Sequence, residues 1–380
     1  MLSWLAPILV FGLVLMVHEL GHFMAAKLVG VYAPRFSIGF GKPIWRHRRG
    51  ETEYVLGWLV PLGGYVRMAS REDETMAMIE GGGEEPAERP ADWDPNAMMP
   101  FGPKPVPPNR WFESKPLPAR LLIMIAGVTM NVLLSLVINI AVVGGSPRMR
   151  AVTSIDSVVA GRPAAVGGLQ RGDSILSING KATPEWSDVQ EVIRSSGGQV
   201  LNFRVQRGRD AQDVAVTPVQ VRDTADGGVG RAVWQIGVLP RAVEEPRTVA
   251  STFGDGWRLT WRMGGAVVGV VRGLLTGKVS VAQLGGPIAI AKSSVQAAQS
   301  GAEVLFELIA FLSINVAVLN MLPIPILDGG QILLNVIESV KGRAFSARTR
   351  EYILRAGLLA IALLFALVMF NDLGLRKLFG

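Results

Sequence analysis

The chain has 380 residues, of which 49% are hydrophobic and only 18% charged, so its composition is that of a membrane protein rather than of a soluble enzyme. It contains no cysteine, which excludes disulfides and thiolate metal sites. The formal net charge of +7 comes without a basic stripe of interleaved aromatic residues. We therefore expect basic loops that face anionic lipid, and no nucleic-acid partner.

The first apolar segment, about Leu2–Leu28, carries the most informative motif of the chain. An uncharged run leads directly into His-Glu-Leu-Gly-His at residues 18–22. In a helix, His18 and His22 lie on one face, where two imidazoles can bind one metal ion, and Glu19 is suited to act as a general base. Ionisable groups inside a span are costly and therefore indicate function. The alternative, a chance match in a soluble helix, is disfavoured by the uncharged run.

Glycine-rich apolar pieces follow between residues 34 and 68. Three of them have the alternation or the turn residues of strands: 36–41, 52–55 and 61–68. A hairpin this apolar, between two spans, predicts a β-region that dips into the membrane face near the metal. Its open edge offers a site for a substrate backbone, with three candidate contact residues: Gly64, Tyr65 and Val66.

Four apolar segments are long enough to cross a bilayer: about 2–28, about 121–143, a third from near 304 that is interrupted around 322–330, and about 354–370. Lys and Arg cluster in residues 27–71 and 341–350, which the positive-inside rule assigns to the cytoplasm. Both termini and the long region 147–303 are then expected outside the cytoplasm. The first and third spans run in the same direction, so their ends share the cytoplasmic half of the membrane.

The third metal ligand is expected from the third span. Asp328 follows the interruption and, with this topology, lies at the depth of the two histidines. Two histidines and one carboxylate leave a position open for water, a donor set that suits Zn2+. His47 is the rival ligand, although three neighbouring arginines oppose a cation there. The alternative role for Asp328 is to cap the following helix.

Residues 151–219 predict a small α/β module. The segment 168–180 contains a strand that ends in an Asn-Gly turn, residues 186–193 keep helical spacing, and residues 201–205 alternate as a strand does. The pattern resembles a PDZ domain, whose groove accepts an extended peptide beside a strand. The alternative is a domain that acts only as a steric cap.

Several motifs together resemble the site-2 protease family of intramembrane zinc metalloproteases, in particular the bacterial members that regulate sigma-E. The matching pieces follow the family's order: His18–His22, Phe36–Lys42, Pro61–Met68, Leu284–Ile288 and Asn320–Gly330. Two departures stand out. The best-known members carry two tandem PDZ domains where this chain has one, and the family's Gly-Pro before an asparagine is Gly127-Val128 here, ahead of Asn131.

The resemblance implies a zinc metalloendopeptidase of the bacterial inner membrane, with Glu19 as the base and three zinc ligands: His18, His22 and Asp328. It also implies that Asn315 and Asn320 hold the substrate backbone near the zinc, although amides within a span can simply join helices. The third-span residues Glu303 and Glu307 are more typical of an interface than of catalysis.

The expected partners are membrane lipid and single-span membrane proteins, such as anti-sigma factors, that have already been cut on their outer side. A substrate span must unwind before cleavage, because an intact helix hides its peptide bonds. The PDZ domain is expected to block untrimmed proteins, or alternatively to recruit trimmed ones. Two other function classes stay open: a membrane-anchored HExxH protease for soluble or misfolded proteins, and a non-catalytic PDZ membrane adaptor.

We therefore predict a mainly α-helical membrane protein with about four transmembrane helices, a membrane-associated β-hairpin region and one periplasmic α/β PDZ domain. In chain order the parts are the first span with the histidine motif (1–30), a cytoplasmic-side β-region followed by a flexible loop from residue 72 (31–118), the second span (119–146), the PDZ domain (147–247), periplasmic amphipathic helices on the membrane surface (248–303), the third span with Asp328 (304–340), and a cytoplasmic loop, fourth span and C-terminus (341–380).

Overall fold

The computed structural model of the chain describes residues 3–70, 93–223, 231–280 and 284–373. Two parts of the sequence-based predictions lie outside the described residues: residues 72–92 of the flexible loop, and the C-terminal segment 374–380. The chain divides into two compact units. The first comprises Met1–Val142, Gly256–Val268 and Ser280–Gly380, and the second comprises Val143–Asp255 and Gly269–Val279.

In chain order the helices are α1 (Ala6–Leu28), α2 (Leu117–Gly145), α3 (Pro163–Gly167), α4 (Trp186–Ser195), α5 (Val249–Leu275), α6 (Pro287–Ser300), α7 (Ala302–Asn320), α8 (Asp328–Lys341) and α9 (Ala347–Asp372). The strands are β1 (Arg35–Arg49), β2 (Thr52–Arg67), β3 (Arg148–Val158), β4 (Ser174–Ile178), β5 (Lys181–Ala182), β6 (Leu201–Arg207), β7 (Asp210–Val216), β8 (Val219–Asp223), β9 (Arg231–Gln235) and β10 (Val238–Glu245). Short 3₁₀ turns occupy Ser3–Leu5, Pro108–Arg110 and Phe112–Ser114.

Within the described residues, four helical stretches are long and apolar enough to cross a membrane: Ser3–Leu28, Leu117–Gly145, Ala302–Asn320 and Arg348–Asp372. They coincide with the four apolar segments of the sequence and fit a membrane-embedded chain. The last of them leaves many large apolar side chains exposed, as expected of a helix that faces lipid: Leu358, Leu359, Leu363, Leu364 and Phe365.

The third apolar segment is two helices joined by a tight loop. α7 ends at Asn320 and α8 begins at Asp328, because two prolines in between cannot continue a helix. Gly330 of α8 has no room for a Cβ, since the carbonyl group of Ile324 lies against it. The loop therefore folds back over the start of α8 and holds Asp328 at a helix N-terminus.

β1 and β2 pair antiparallel as two long strands, where the sequence predicts three short pieces. The start of β1 is flanked on both sides, since Ile38 faces Leu56 on one side and Gly64 on the other. The end of β2, residues 64–67, therefore forms an outer edge of the sheet. A buried apolar cluster fastens this edge to the first span, and its members are Phe23, Ala33, Phe36 and Val66.

An ion cluster ties the turn between β1 and β2 to the end of α1. Glu51 accepts hydrogen bonds from two nitrogens of Arg110 at 2.7 and 2.8 Å and from Nζ of Lys27 at 2.6 Å. These bonds, those of Arg110 foremost, lower the pKa of Glu51 from its ordinary 4.5 to about 2. The Arg110 guanidinium also lies 5.3 Å from the ring centroid of Tyr32. Burial, aided by the charge of Glu51, raises the pKa of Tyr32 to about 12.

The middle of α5, Gly256–Val268, packs against α2 and α7 within the first unit. Thr260 Oγ1 accepts a hydrogen bond from Nδ2 of Asn139 at 2.9 Å, and a Cβ on Gly264 would lie 3.6 Å from Ile314. The opposite side is exposed and carries Trp257, Arg258, Trp261 and Arg262. The helix is therefore two-sided, with a narrow buried stripe of small residues.

The start of α6 is capped by the last residue of α9. The Asp372 carboxylate accepts hydrogen bonds from the backbone N–H groups of Gly286, Ile288 and Ala289 at 2.9, 2.9 and 3.0 Å. A Cβ on Gly286 would approach this carboxylate to 2.6 Å, so the Gly-Gly-Pro sequence at 285–287 allows the two helices to meet.

The second unit holds a six-stranded sheet in the order β10-β3-β4-β6-β7, with β5 beside β4, and a separate pair β8–β9. Asn179 and Gly180 both have positive φ, as the tight turn after β4 requires. The core consists of apolar residues from the sheet and α4, including Ile175, Ile178, Val189, Phe203 and Val205. A cavity of about 330 Å³ lies between α4 and the strands β9 and β10, lined by Trp186, Ile193, Trp234, Ile236 and Leu239.

One ion pair with a buried carboxylate lies at the edge of this core. Asp173 is fully buried and accepts two hydrogen bonds from Arg207, both at 2.7 Å. Burial alone raises the pKa of Asp173, but the bonds from Arg207 and from the backbone N–H of Gln170 bring it below its ordinary value. Arg207 therefore anchors the end of β6 to the turn before β4.

Candidate metal centre

Three ligand atoms from α1 and α8 converge on one point. His18 and His22 place their Nε2 atoms 3.1 Å apart. Asp328 places Oδ2 3.2 Å from Nε2 of His18 and Oδ1 3.4 Å from Nε2 of His22. In the part of the chain that the structure describes, this is the one cluster of three such residues whose ligand atoms all lie within 4.8 Å of one another. The arrangement can hold a single metal ion.

A backbone carbonyl sets the orientation of His22. Nδ1 of His22 donates to the carbonyl oxygen of Ile123 on α2 at 2.8 Å. A proton on Nδ1 leaves Nε2 with its lone pair directed at His18 and Asp328, which is the form of imidazole that binds metals. The second span thus orients a ligand of the first.

Two glycines allow α1 and α2 to approach closely enough for this contact. A Cβ on Gly21 would lie 2.7 Å from the carbonyl carbon of Ala126 and 2.9 Å from Cα of Gly127. A Cβ on Gly127 would press against Nε2 of His22 and lie 2.8 Å from Cε1 of His18. Both positions exclude any side chain, so the glycine of the histidine motif serves the helix crossing.

Asparagines from two other helices contact His18. Nδ2 of Asn320, at the end of α7, lies 2.9 Å from Nε2 of His18. Nδ2 of Asn131, which is fully buried on α2, lies 3.4 Å from Nδ1. Ser313 of α7 donates to the backbone carbonyl of Asn131 at 2.9 Å. His18 is therefore held from both the second and the third apolar helix.

Glu19 lies between the ligands and the edge of the β-region. Its carboxylate accepts a hydrogen bond from the backbone N–H of Val66, and its charge interacts with the three ligands. A Cβ on Gly64 would lie 3.4 Å from Cγ of Glu19. Tyr65 and Val66 line the same cavity as Glu19. The strand segment singled out in the sequence is thus beside the candidate base.

A cavity of about 380 Å³ opens onto the ligands. Much of its lining is apolar and comes from four elements and a loop: Leu15, Ile123, Met124, Val66, Ile326 and Leu354. Nε2 of Gln331 donates to the carbonyl of Pro325 at 2.8 Å and so holds the loop that precedes Asp328. A Cβ on Gly357 of α9 would lie 3.2 Å from Pro325, so α9 packs directly on that loop. An apolar chamber with polar groups at one end suits a peptide segment better than a free charged solute.

Two residues considered from the sequence lie elsewhere. His47 is on β1, where its ring stacks on Trp45 with centroids 5.9 Å apart, and it lines a separate groove with Phe36 and Tyr54. Asn315 donates to the carbonyl of Phe311 in its own helix at 2.8 Å. The structure brings Asp328 and Asn320 to the histidines, and it does not bring His47 or Asn315 there.

The sequence alone predicts no role for Gly127 or Asn131 beyond their place in the family motif. A small residue and a polar residue spaced i, i+4 on an apolar helix nevertheless indicate a face that contacts another helix. The backbone carbonyl of Ile123 and the side chain of Leu354, which lines the cavity, have no such sequence signal. Any apolar residue at either position would provide the same contact.

Comparison with known proteins places this geometry in context. The family described as Peptidase family M50 matches residues 6–364. The chain is 31% identical to the metalloprotease MmpA of Caulobacter vibrioides over 389 residues, covering 97% of this chain and 95% of the relative. It is 29% identical to the zinc metalloprotease RasP of Geobacillus kaustophilus (98% and 97% covered) and 28% identical to the regulator of sigma-W protease RasP of Bacillus subtilis (97% and 97% covered).

Proposed function

The chain belongs to peptidase family M50, and we propose that within this family it is an intramembrane zinc metalloendopeptidase of the site-2 protease type. One observation carries the proposal: His18, His22 and Asp328 converge beside Glu19 near the end of an apolar helix long enough to span a membrane. A membrane-anchored protease for soluble proteins would more usually carry its motif in a soluble helical domain. Complete retention of ligands and base also argues against a non-catalytic adaptor.

The residues present fit a zinc ion. Two imidazole nitrogens and one carboxylate form a donor set that leaves a position open. Oδ2 of Asp328 is buried and has no hydrogen-bond partner among the described residues, although Nε2 of His18 lies 3.2 Å away. A buried acceptor of this kind suits a metal ligand better than a helix cap. When bound, the ion supplies a Lewis acid that activates water and polarises the scissile carbonyl.

The remaining groups have separate roles in the proposed reaction. Glu19 accepts a proton from the attacking water and passes it to the leaving nitrogen. The N–H of Val66 holds the Glu19 carboxylate in the cavity. Asn320, beside His18, donates to the substrate backbone. The position of the side chain supports this role for Asn320 more directly than for Asn315, because Nδ2 of Asn320 lies 2.9 Å from Nε2 of His18 whereas the amide of Asn315 bonds within α7.

We propose that the substrates are single-span membrane proteins, such as anti-sigma factors, after a first cut on the outer side. We propose a role in regulated proteolysis as part of a stress response, and the name of the Bacillus subtilis relative, a regulator of sigma-W protease, supports the regulatory part. The substrate span unwinds and adds as a strand along residues 64–68, whose edge lies beside Glu19. The apolar lining of the cavity is compatible with such a segment.

The decisive experiment is cleavage of trimmed single-span proteins by purified enzyme in vesicles. Glu19→Gln is expected to keep zinc and fold but to lower cleavage by about 10²- to 10⁴-fold, because an amide cannot accept the proton. Glu307→Gln, in the third apolar helix, is the matched control and should cleave normally. Wild-type protein that never cleaves would support an adaptor, and substantial cleavage by the Glu19 variant would remove the base from the proposal.

We place the protein in the bacterial inner membrane, with its basic segments 27–71 and 341–350 in the cytoplasm. Both termini and the second unit then lie on the periplasmic side, and the site faces the cytoplasmic half. The absence of native cysteine allows a clean test by labelling single introduced cysteines with an impermeant reagent. Labelling of Ser346→Cys from outside intact cells would reverse the orientation.

We further propose that the second unit is a PDZ domain that filters substrates. Its α/β architecture and the cavity between α4 and the strands β9 and β10 support a peptide-binding module. Arg148 and Glu245 face each other at the ends of β3 and β10, so a short linker can replace everything between them. A filter predicts that this deletion lets untrimmed substrates be cut. Slow cleavage of trimmed substrate, with untrimmed substrate still refused, would indicate recruitment instead.

A further inference from the structure

A row of three positions on α2 lies against the two histidines. Ile123, Gly127 and Asn131 are spaced i, i+4 and i+8, so they share one face of the helix. The carbonyl oxygen of Ile123 accepts a hydrogen bond from Nδ1 of His22, and Gly127 leaves space for both imidazole rings. Asn131 is the third member of this row, and it faces Nδ1 of His18.

Asn131 is fully buried and pinned from a second helix. Its backbone carbonyl accepts a hydrogen bond from Ser313, and its Nδ2 lies 3.4 Å from Nδ1 of His18. Its Oδ1 is buried and has no hydrogen-bond partner among the described residues. A buried amide oxygen without a hydrogen-bond donor costs free energy. We therefore expect the Oδ1 of Asn131 to accept a hydrogen bond from a neighbouring donor.

The chemistry of His18 supplies the missing donor. Nε2 of His18 faces His22 and Asp328, so metal binding requires that Nε2 be unprotonated and Nδ1 carry the hydrogen. That Nδ1–H needs an acceptor, and the amide group of Asn131 is adjacent. The two ends of an amide have nearly the same shape, so turning the group places Oδ1 where Nδ2 now lies, 3.4 Å from Nδ1 of His18.

We infer that Asn131 is a positioning residue whose Oδ1 accepts the Nδ1–H of His18 and fixes the metal-binding form of that ring. The inference rests on the proposed zinc site and assigns the second span a role for each histidine: a backbone acceptor for His22 and a side-chain acceptor for His18. Acceptors behind metal-bound imidazoles raise metal affinity by about 10- to 100-fold.

The test measures zinc affinity of the purified full-length protein by competition with a chelator. Asn131→Leu, of similar volume but without an acceptor, is expected to bind zinc about 10- to 100-fold more weakly. Asn131→Asp keeps an acceptor at the same position and should bind within a few-fold of wild type. If Asn131 only fills space, the order reverses, because leucine packs well and a buried carboxylate does not.

Asn139 provides a matched control on the same helix. It is also fully buried, and its Oδ1 has no hydrogen-bond partner within the described part of the chain, but its Nδ2 donates to Thr260, away from the histidines. Asn139→Leu should leave zinc affinity unchanged. Asn131→Ala serves if the leucine variant does not fold, with the same expected loss.

The outcomes separate this inference from the proposed function. Wild-type zinc affinity in both Asn131→Leu and Asn131→Ala would overturn the role of Asn131 and leave the zinc site intact. Absence of zinc binding in the wild-type protein would overturn both. As a spectroscopic check, cobalt in place of zinc should give the same absorption bands in wild type and Asn131→Asp and altered bands in Asn131→Leu.

Discussion

Gly127 lies directly against the imidazole of His22, at the place where a Cβ would collide with Nε2. The ring is thereby held between the helix that carries it and the helix that orients it. The carbonyl of Ile123 on the same helix accepts a hydrogen bond from Nδ1, so the ring is fixed both by steric contact and by hydrogen bonding. The metal centre therefore depends on the packing of α1 on α2 as much as on its ligands.

Gly127→Ala is expected to weaken zinc binding at least about tenfold and to destabilise the protein by about 1–3 kcal/mol, because the methyl group displaces both imidazoles. Gly145→Ala on the same helix, where a Cβ would meet no atom of the described residues within 4 Å, is the control and should behave as wild type. Metal analysis and thermal unfolding provide the measurements. A Gly127→Ala protein with a full complement of zinc would contradict the crowding argument.

Asp328→Ala is expected to abolish stoichiometric zinc and cleavage, since two imidazoles alone form an incomplete site. His47→Ala should retain about one zinc per chain and normal cleavage, because that ring stacks on Trp45 outside the centre. Metal content and cleavage are measured on the same preparations. The reverse pattern, with zinc lost only in the His47 variant, would show that the wrong third ligand has been chosen.

Val66→Pro is expected to lower cleavage strongly while zinc content stays normal. Proline removes the N–H that donates to Glu19 and distorts the edge along which the substrate is proposed to add. Val66→Ala keeps the N–H and should lose much less activity. Equal cleavage by the proline variant and wild type on every substrate tested would remove both the edge and the N–H from the mechanism.

The ion cluster around Glu51 is expected to lose its contribution to the free energy of unfolding in acid. Its pKa is lowered from 4.5 to about 2 by Arg110 and Lys27, so its contribution is complete above pH 4.5 and disappears as the pH falls towards 2. After allowance for solvent screening of this partly exposed cluster, the loss should be about 1–2 kcal/mol. Glu51→Gln should be less stable at pH 7 and should show a shallower decline between pH 5 and 2. Parallel stability curves for the two proteins would count against the cluster.

The convergence of His18, His22 and Asp328 and the four long apolar helices could be predicted from the sequence. The i, i+4 histidines report a helical face, the uncharged runs report apolar helices, and Asp328 follows from span directions that basic loops predict. The Asn179-Gly180 turn is likewise encoded within two residues. The histidine pair, the apolar helices and the turn each have a cause within one or two helical turns of chain, whereas the prediction of Asp328 rests on the directions of two spans far apart in the sequence.

The parts that escaped prediction depend on contacts distant in sequence. Nothing near Ile123 indicates that its carbonyl meets His22, 101 residues away. The contact between the edge of β2 and Glu19 likewise depends on the meeting of Val66 with α1, which no local pattern encodes. The arginine neighbours of His47 disfavour a cation there, but they do not predict that its ring stacks on Trp45.

The ligands lie near opposite ends of the chain, and this has a consequence for biosynthesis. His22 leaves the ribosome early, whereas Asp328 follows about 306 residues later. At roughly 5–20 residues per second, the interval is about 15–60 seconds. Throughout that time the nascent chain holds two imidazoles and a base but lacks the carboxylate that completes the set. The proposed protease is thus built without its full metal site until most of its length has been made.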